Sequence, residues 1–281
     1  MQKQLLFFVL MICFISANAQ KKPAACCPAA NATEQFALLA NDKSFVMQHD
    51  APLPFNYKTV NGADINFKAA DGIDAHGWMV KAPKPTNYYI FVFQEWWGLN
   101  DYIKQETEKL ANELGVNAIA IDLYDKQIAT TPDEARKLVQ AVKTDRAVNI
   151  IKGAYNYVGS NAQVFTIGWC FGGSWSLQAA LLGGNRVEGC IMYYGMPEKD
   201  VNALKKLHCD VIGFFAKKDG GITPAVVEEF KANMKAAGKN LTAYEYDAVH
   251  AFANPSNPSY NKEATTDAHT KAIAFIKARM K

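Results

Sequence analysis

The sequence predicts an α/β fold, a mostly parallel central sheet with helices on both faces, and three observations carry that expectation. Past the first fifty residues, strand-like runs alternate with helical patterns. The strand-like runs are apolar nearly throughout rather than at every second residue, the pattern of strands buried on both faces. Finally, the pentad Gly168-Trp169-Cys170-Phe171-Gly172 stands between an apolar run, Val164 to Ile167, and a helical pattern, Ser174 to Leu182. That order is strand, sharp turn and helix, with a cysteine at the turn.

The elements follow in order. Lys3 and the apolar stretch Leu5 to Ile15 precede Ala17-Asn18-Ala19, a small-x-small site, so residues 1–19 read as a cleavable signal peptide and the chain as secreted or periplasmic. The apolar stretch is short for a stable membrane span. Lipid attachment at Cys13 is disfavoured by the bulky Ile12 before it. Residues 20–50 read as an Ala/Pro-containing leader that carries Cys26 and Cys27, and 51–281 as one domain. Within it, Ile73 to Val80 and Tyr88 to Gln94 read as strands. Asp101 to Leu114 is a helix ending at Gly115, and Val116 to Leu123 is a strand. Pro132 to Val142 and Ala147 to Val158 are amphipathic helices. After the pentad and its helix come strands Val187 to Tyr194 and Val211 to Ala216, helix Pro224 to Ala237, strand Thr242 to Tyr246 and helix Thr265 to Met280.

Composition excludes some functions. The chain is 49% apolar and 20% charged, ordinary for a globular protein, and its net charge of +3 is scattered, so nucleic acid is not an expected partner. In a parallel sheet ligands bind beyond the carboxyl ends of the strands, and four polar residues follow strands there: Glu95, Cys170, Asp219 and His250. The glycines around Cys170 permit a tight turn that lifts the thiol to a helix N-terminus, where free N–H groups and the helix dipole favour a thiolate. A buried packing cysteine is the plainer alternative. His250 is favoured among the five histidines by elimination: His49 precedes the expected domain, His76 lies within a strand, His208 comes before its strand, and His269 sits on the last helix. Asp219 is also compatible with simple Asp-Gly turn chemistry, and Asp247 is a rival acid. Glu95 stands beside Trp96 and Trp97, unusual company for a solvent-facing charge.

The order nucleophile, acid, histidine is that of an α/β-hydrolase triad. A thiol attacking an ester or lactone carbonyl generates an oxyanion, for which the N–H groups of Phe171 and Trp96 are the expected donors. Gln94-Glu95-Trp96-Trp97-Gly98-Leu99-Asn100, Asp122-Leu123-Tyr124, the Gly168–Gly173 turn, Asp219 and His250-Ala251-Phe252 together resemble the dienelactone hydrolases, from about Val60 to the C-terminal helix. The resemblance implies an α/β-hydrolase fold and a Cys-His-Asp triad, with Cys170 as nucleophile, His250 as acid–base and Asp219 as its orienter. It also implies that Glu95 takes the thiol proton when substrate binds.

Two departures bear on the substrate. Lys126 and Asn254 stand where the family carries arginines that hold a substrate carboxylate. Lysine lacks the bidentate fork and asparagine lacks the charge, so dienelactone is a poor fit. A pocket near Trp96, Trp97 and Tyr124 fits an uncharged ester, lactone or small aromatic acyl group, with plain packing the alternative for the tryptophans. No cofactor or metal is expected, and a monomer is. Competing readings are an inactive fold that binds without turnover, and thiol or metal handling by Cys26-Cys27.

Overall fold

The computed structural model describes residues 32–281, so the expected signal peptide, Cys13, Cys26 and Cys27 lie outside the described residues. Eight strands form one sheet in the order β1-β2-β4-β3-β5-β6-β7-β8. They are β1 (Gly62–Lys68), β2 (Asp74–Val80), β3 (Tyr88–Phe93), β4 (Asn117–Ile121), β5 (Gln163–Trp169), β6 (Val187–Tyr193), β7 (Asp210–Ala216) and β8 (Leu241–Tyr246). β2 pairs antiparallel with both β1 and β4, and every pairing from β4 to β8 is parallel. The α/β expectation therefore holds, with two antiparallel pairings at one end of the sheet.

The helices are α1 (Ala32–Leu39), α2 (Lys43–Val46), α3 (Asp101–Leu114), α4 (Pro132–Ala141), α5 (Thr144–Val158), α6 (Phe171–Gly183), α7 (Val201–Leu204), α8 (Pro224–Ala236) and α9 (Lys262–Lys277). Local chemistry sets several ends. Asn100 accepts the Ile103 N–H to start α3, and Gly115 stops it in the left-handed conformation at φ 67°. Thr131 and Glu134 form a reciprocal capping box ahead of α4, with Pro132 in its first turn. Among the described residues no helix is long and apolar enough to cross a membrane.

β4 is buried along its whole length, and β5 and β7 at all but their first residue. These continuous apolar runs are the core of the sheet. The edge strands β1 and β8 are only part-buried. β1 was missed because its signal is not a continuous apolar run: Ala63, Ile65 and Phe67 alternate with Asp64 and Asn66, the period-two pattern of a strand exposed on one face.

One boundary needs correction. Residues 20–50 were expected to be a leader outside the domain, yet α1 and α2 pack onto it. Phe36 and Phe45 are buried to within 1%, and Phe36 meets the Phe171 ring at the start of α6, centroids 5.6 Å apart. Burying two phenylalanines contributes about 3–6 kcal/mol, enough to hold a short segment in place. Onward from α2 the chain is pinned to α3: the Tyr57 and Thr59 hydroxyls and the Val60 and Asn61 N–H groups all donate to the buried Glu108 carboxylate.

Candidate active site

Because β3, β5, β6, β7 and β8 run parallel, their carboxyl ends share one rim. Glu95 follows β3, Cys170 follows β5, Tyr194 follows β6, Asp219 follows β7 and His250 follows β8. Cys170 takes φ 57°, a left-handed conformation costly for a side chain with a Cβ. The strain is held by crowding at the neighbouring glycines. A Cβ on Gly172 would lie 2.2 Å from the Phe93 carbonyl oxygen, and one on Gly168 would lie 2.1 Å from that of Gly172. Helix α6 accordingly begins at Phe171, directly after the cysteine and ahead of the Ser174 start read from the sequence.

The Cys170 sulfur faces His250 Nε2 at 3.3 Å, and His250 Nδ1 donates to Asp219 Oδ2 at 2.5 Å. The other Asp219 oxygen accepts the N–H groups of Gly221 and Ile222. Burial opposes ionisation of Asp219, but His250 and these amides outweigh it and hold the carboxyl below its usual range. The backbone N–H groups of Phe171 and Trp96 both point at the Cys170 sulfur, whereas burial and the charge of Glu95 push the thiol well above its ordinary pKa. Asp247, the rival acid, is exposed and paired with Lys218.

Glu95 lies behind the thiol. Burial raises its pKa to about 7, even though Tyr194 Oη donates to Oε1 at 3.2 Å and Asn254 Nδ2 to Oε2 at 2.5 Å. Asn254 is thus engaged on both ends, its carbonyl oxygen accepting from Ser256 N and Oγ. Glu95 also lines a cavity of about 380 Å³ whose walls include Trp97, Trp169, Tyr193, Asn254 and Tyr260. Among its lining residues there is no arginine. Of the substrate contacts expected from sequence, Trp97 and Asn254 reach this cavity. Tyr124 instead packs on Phe171, ring centroids 5.5 Å apart, and its buried hydroxyl has no partner among the described residues. Lys126 is exposed in a separate cleft with Asp122 and His76.

The residue that sequence reasoning missed is His49. It was set aside as preceding the domain, but it is buried against the thiol. His49 Nδ1 donates to the Phe45 carbonyl at 2.8 Å, and its Nε2 stands 3.6 Å from the Cys170 sulfur. Its ring lies 4.4 Å from that of Trp96 and 4.8 Å from that of His250, centroid to centroid. Burial, and then the charge of His250, lower its pKa to about 3, so the ring is neutral. Phe45, one helical turn earlier, packs on Trp96 and His250. The i, i+4 spacing of Phe45 and His49 was the signal available in the sequence. Together these rings close the thiol off: Cys170 and His250 are both 0% exposed.

The chain is similar to known proteins in sequence and in fold. A sequence model of the dienelactone hydrolase family matches residues 76–280. A "Putative carboxymethylenebutenolidase" of Saccharolobus solfataricus is 28% identical over 254 residues, covering 75% of this chain and 96% of that one. "Carboxymethylenebutenolidase 1" of Cupriavidus pinatubonensis is 25% identical, covering 66% and 84%. Among solved structures, a dienelactone hydrolase-like promiscuous phosphotriesterase from metagenomic libraries superposes with a TM-score of 0.66 at 19% identity, over 78% of this chain and 99% of its own. That structure shares the fold.

Proposed function

The chain belongs to the dienelactone hydrolase family, and from that premise we propose that it is an exported hydrolase of small, uncharged esters or lactones. Cys170 is the nucleophile, His250 the acid–base, Asp219 the orienter and Glu95 an auxiliary base. The observation that carries the reading is the continuous chain Asp219–His250–Cys170, with contacts of 2.5 Å and 3.3 Å at a strained turn. Export rests on residues 1–19 of the sequence alone.

The chemistry follows from these groups. A buried neutral thiol is a poor nucleophile, and it is also protected from oxidation. Its proton passes to His250 Nε2 or to Glu95, whose pKa of about 7 suits it to take a proton at neutral pH. The thiolate forms the C–S bond as the carbonyl π pair moves to oxygen, and the N–H groups of Phe171 and Trp96 receive the oxyanion. Collapse of the tetrahedral adduct expels an alkoxide, which takes the proton from whichever of His250 and Glu95 received it. Water, deprotonated by His250, then cleaves the thioester and restores the thiol.

The substrate class is read from the cavity beside Glu95, which Cys170 and His250 themselves do not line. Its aromatic walls favour an apolar acyl or aryl group. The lining holds no arginine, its one lysine, Lys109, is paired with Glu106, and Asn254 is engaged with Glu95, so no arginine fork meets a substrate carboxylate. Hydrolysis of neutral aryl esters and lactones by the mature protein, with and without Cys170→Ala, tests the reading. Loss of turnover by at least about a thousandfold is expected in the variant. Undiminished hydrolysis would remove Cys170 as nucleophile, and a ligand that binds the wild type without turnover would favour a binding protein.

A further inference from the structure

Two imidazole nitrogens converge on one sulfur at the centre of this site. Both histidines spend their Nδ1–H outward, His49 on the Phe45 carbonyl and His250 on the Asp219 carboxylate. Each ring therefore turns its Nε2 toward Cys170, 3.6 Å and 3.3 Å from the sulfur. The thiol has a single proton to offer and satisfies one of the two. The triad accounts for His250 alone and leaves the second acceptor without a role.

We propose that His49, Cys170 and His250 form a binding site for a thiophilic d10 cation, zinc(II) or copper(I). The three donor atoms lie within 4.8 Å of one another and are all buried. A tetrahedral zinc with ordinary Zn–S and Zn–N bonds sets its sulfur and nitrogen ligands about 3.5 Å apart, and the two observed S···N distances bracket that value, while the two Nε2 atoms, within 4.8 Å of each other, close toward the metal on binding. One thiolate and two imidazoles suit borderline and soft metals. Ligating histidines characteristically donate their other ring N–H to a carboxylate or a backbone carbonyl, and here each does one of these. The N–H groups of Phe171 and Trp96, directed at the sulfur, stabilise the thiolate that such a metal needs. On binding, the S–H bond breaks, sulfur keeps the electron pair and donates it to the metal, and the proton leaves to solvent.

The third ligand comes from the segment ahead of the family-matched core, which begins at residue 76. The site is thus particular to a chain that lays His49 over the thiol. If Cys170 is the nucleophile, as read above, metal loading and turnover exclude each other, and the N-terminal segment makes the hydrolase metal-silenced. That consequence rests on the functional reading; the binding site does not.

Cobalt(II) titration of the chelator-treated mature protein tests the site by absorption, independently of activity. A thiolate-to-cobalt charge-transfer band saturating at one equivalent is expected, displaced by zinc and, under reducing conditions, by copper(I). Cys170→Ala should abolish the band. His49→Gln, which keeps the volume of the ring, should weaken cobalt affinity by about a hundredfold or more with an unchanged circular dichroism spectrum. A wild type without the band overturns the proposal. So does a band that survives His49→Gln but disappears when Cys26 and Cys27 are changed to serine, which would move the metal to the leader. Failure of the functional reading looks different: a metal-free protein that turns over no ester yet still gives the band.

Discussion

The rim of the sheet and the segment 32–49 meet at one sulfur but are built on different principles. Cys170, Asp219 and His250 follow parallel strands within the family-matched region, β5 and β7 buried and β8 part-buried, each aimed by its strand and a short turn. The segment has two short helices and stays in place because Phe36 and Phe45 are buried against α6, Trp96 and His250. Chemistry on the rim depends on backbone geometry, whereas closure of the site depends on side-chain burial. Mutations should therefore separate the two, the rim failing in rate and the segment in stability.

The largest effect is expected at the rim. Asp219→Asn leaves the volume intact but no longer fixes the His250 tautomer, so kcat should fall about ten-thousandfold with little change in the denaturation midpoint. A loss of tenfold or less would show that Asp219 is only a turn residue. Next comes the segment. Phe45→Ala should cost about 3–5 kcal/mol in chemical denaturation. A cost near zero would restore the view of 32–49 as a detachable leader and break the comparison.

Glu95 sharpens it, because this buried rim carboxyl should show itself in stability as well as in rate. Its folded pKa is about 7 against an ordinary 4.5. Between those values the unfolded chain gives up its proton while the folded chain keeps it, so stability falls as pH rises. The penalty is absent below pH 4.5 and complete above pH 7, at about 3 kcal/mol. Glu95→Gln should thus be no more stable than wild type near pH 4.5 and increasingly more stable up to about pH 8. An offset independent of pH would mean that Glu95 is ionised throughout. The smallest effect is expected at Lys126, which stands outside the cavity. Lys126→Ala should change kcat/KM for a neutral aryl ester less than about twofold, since no substrate group meets it.

Much of this was readable in the chain because local chemistry encodes it. The continuous apolar runs of β3, β4, β5, β6 and β7 mark a buried parallel sheet, and strand ends in such a sheet point to a common rim. The crowded glycines around Cys170 mark the turn. By contrast, β1 is an edge strand with polar residues on its open face, and it was missed for that reason. Lys126 and Asn254 were paired as substrate contacts from their positions in the motifs. Sequence order carries no information about which way a side chain turns, and Asn254 turned to Glu95 while Lys126 turned to another cleft.

Taken alone, the sequence determined the fold class, the tight turn at Cys170 and the strand ends that Asp219 and His250 follow, since each depends on residues adjacent in the chain or on strand periodicity. Tertiary structure alone decided that His49 meets Cys170 across 121 residues. That contact exists because Phe36 and Phe45 find a hydrophobic seat beside α6 and Trp96. A seat assembled from distant elements leaves no periodic mark on the segment that fills it.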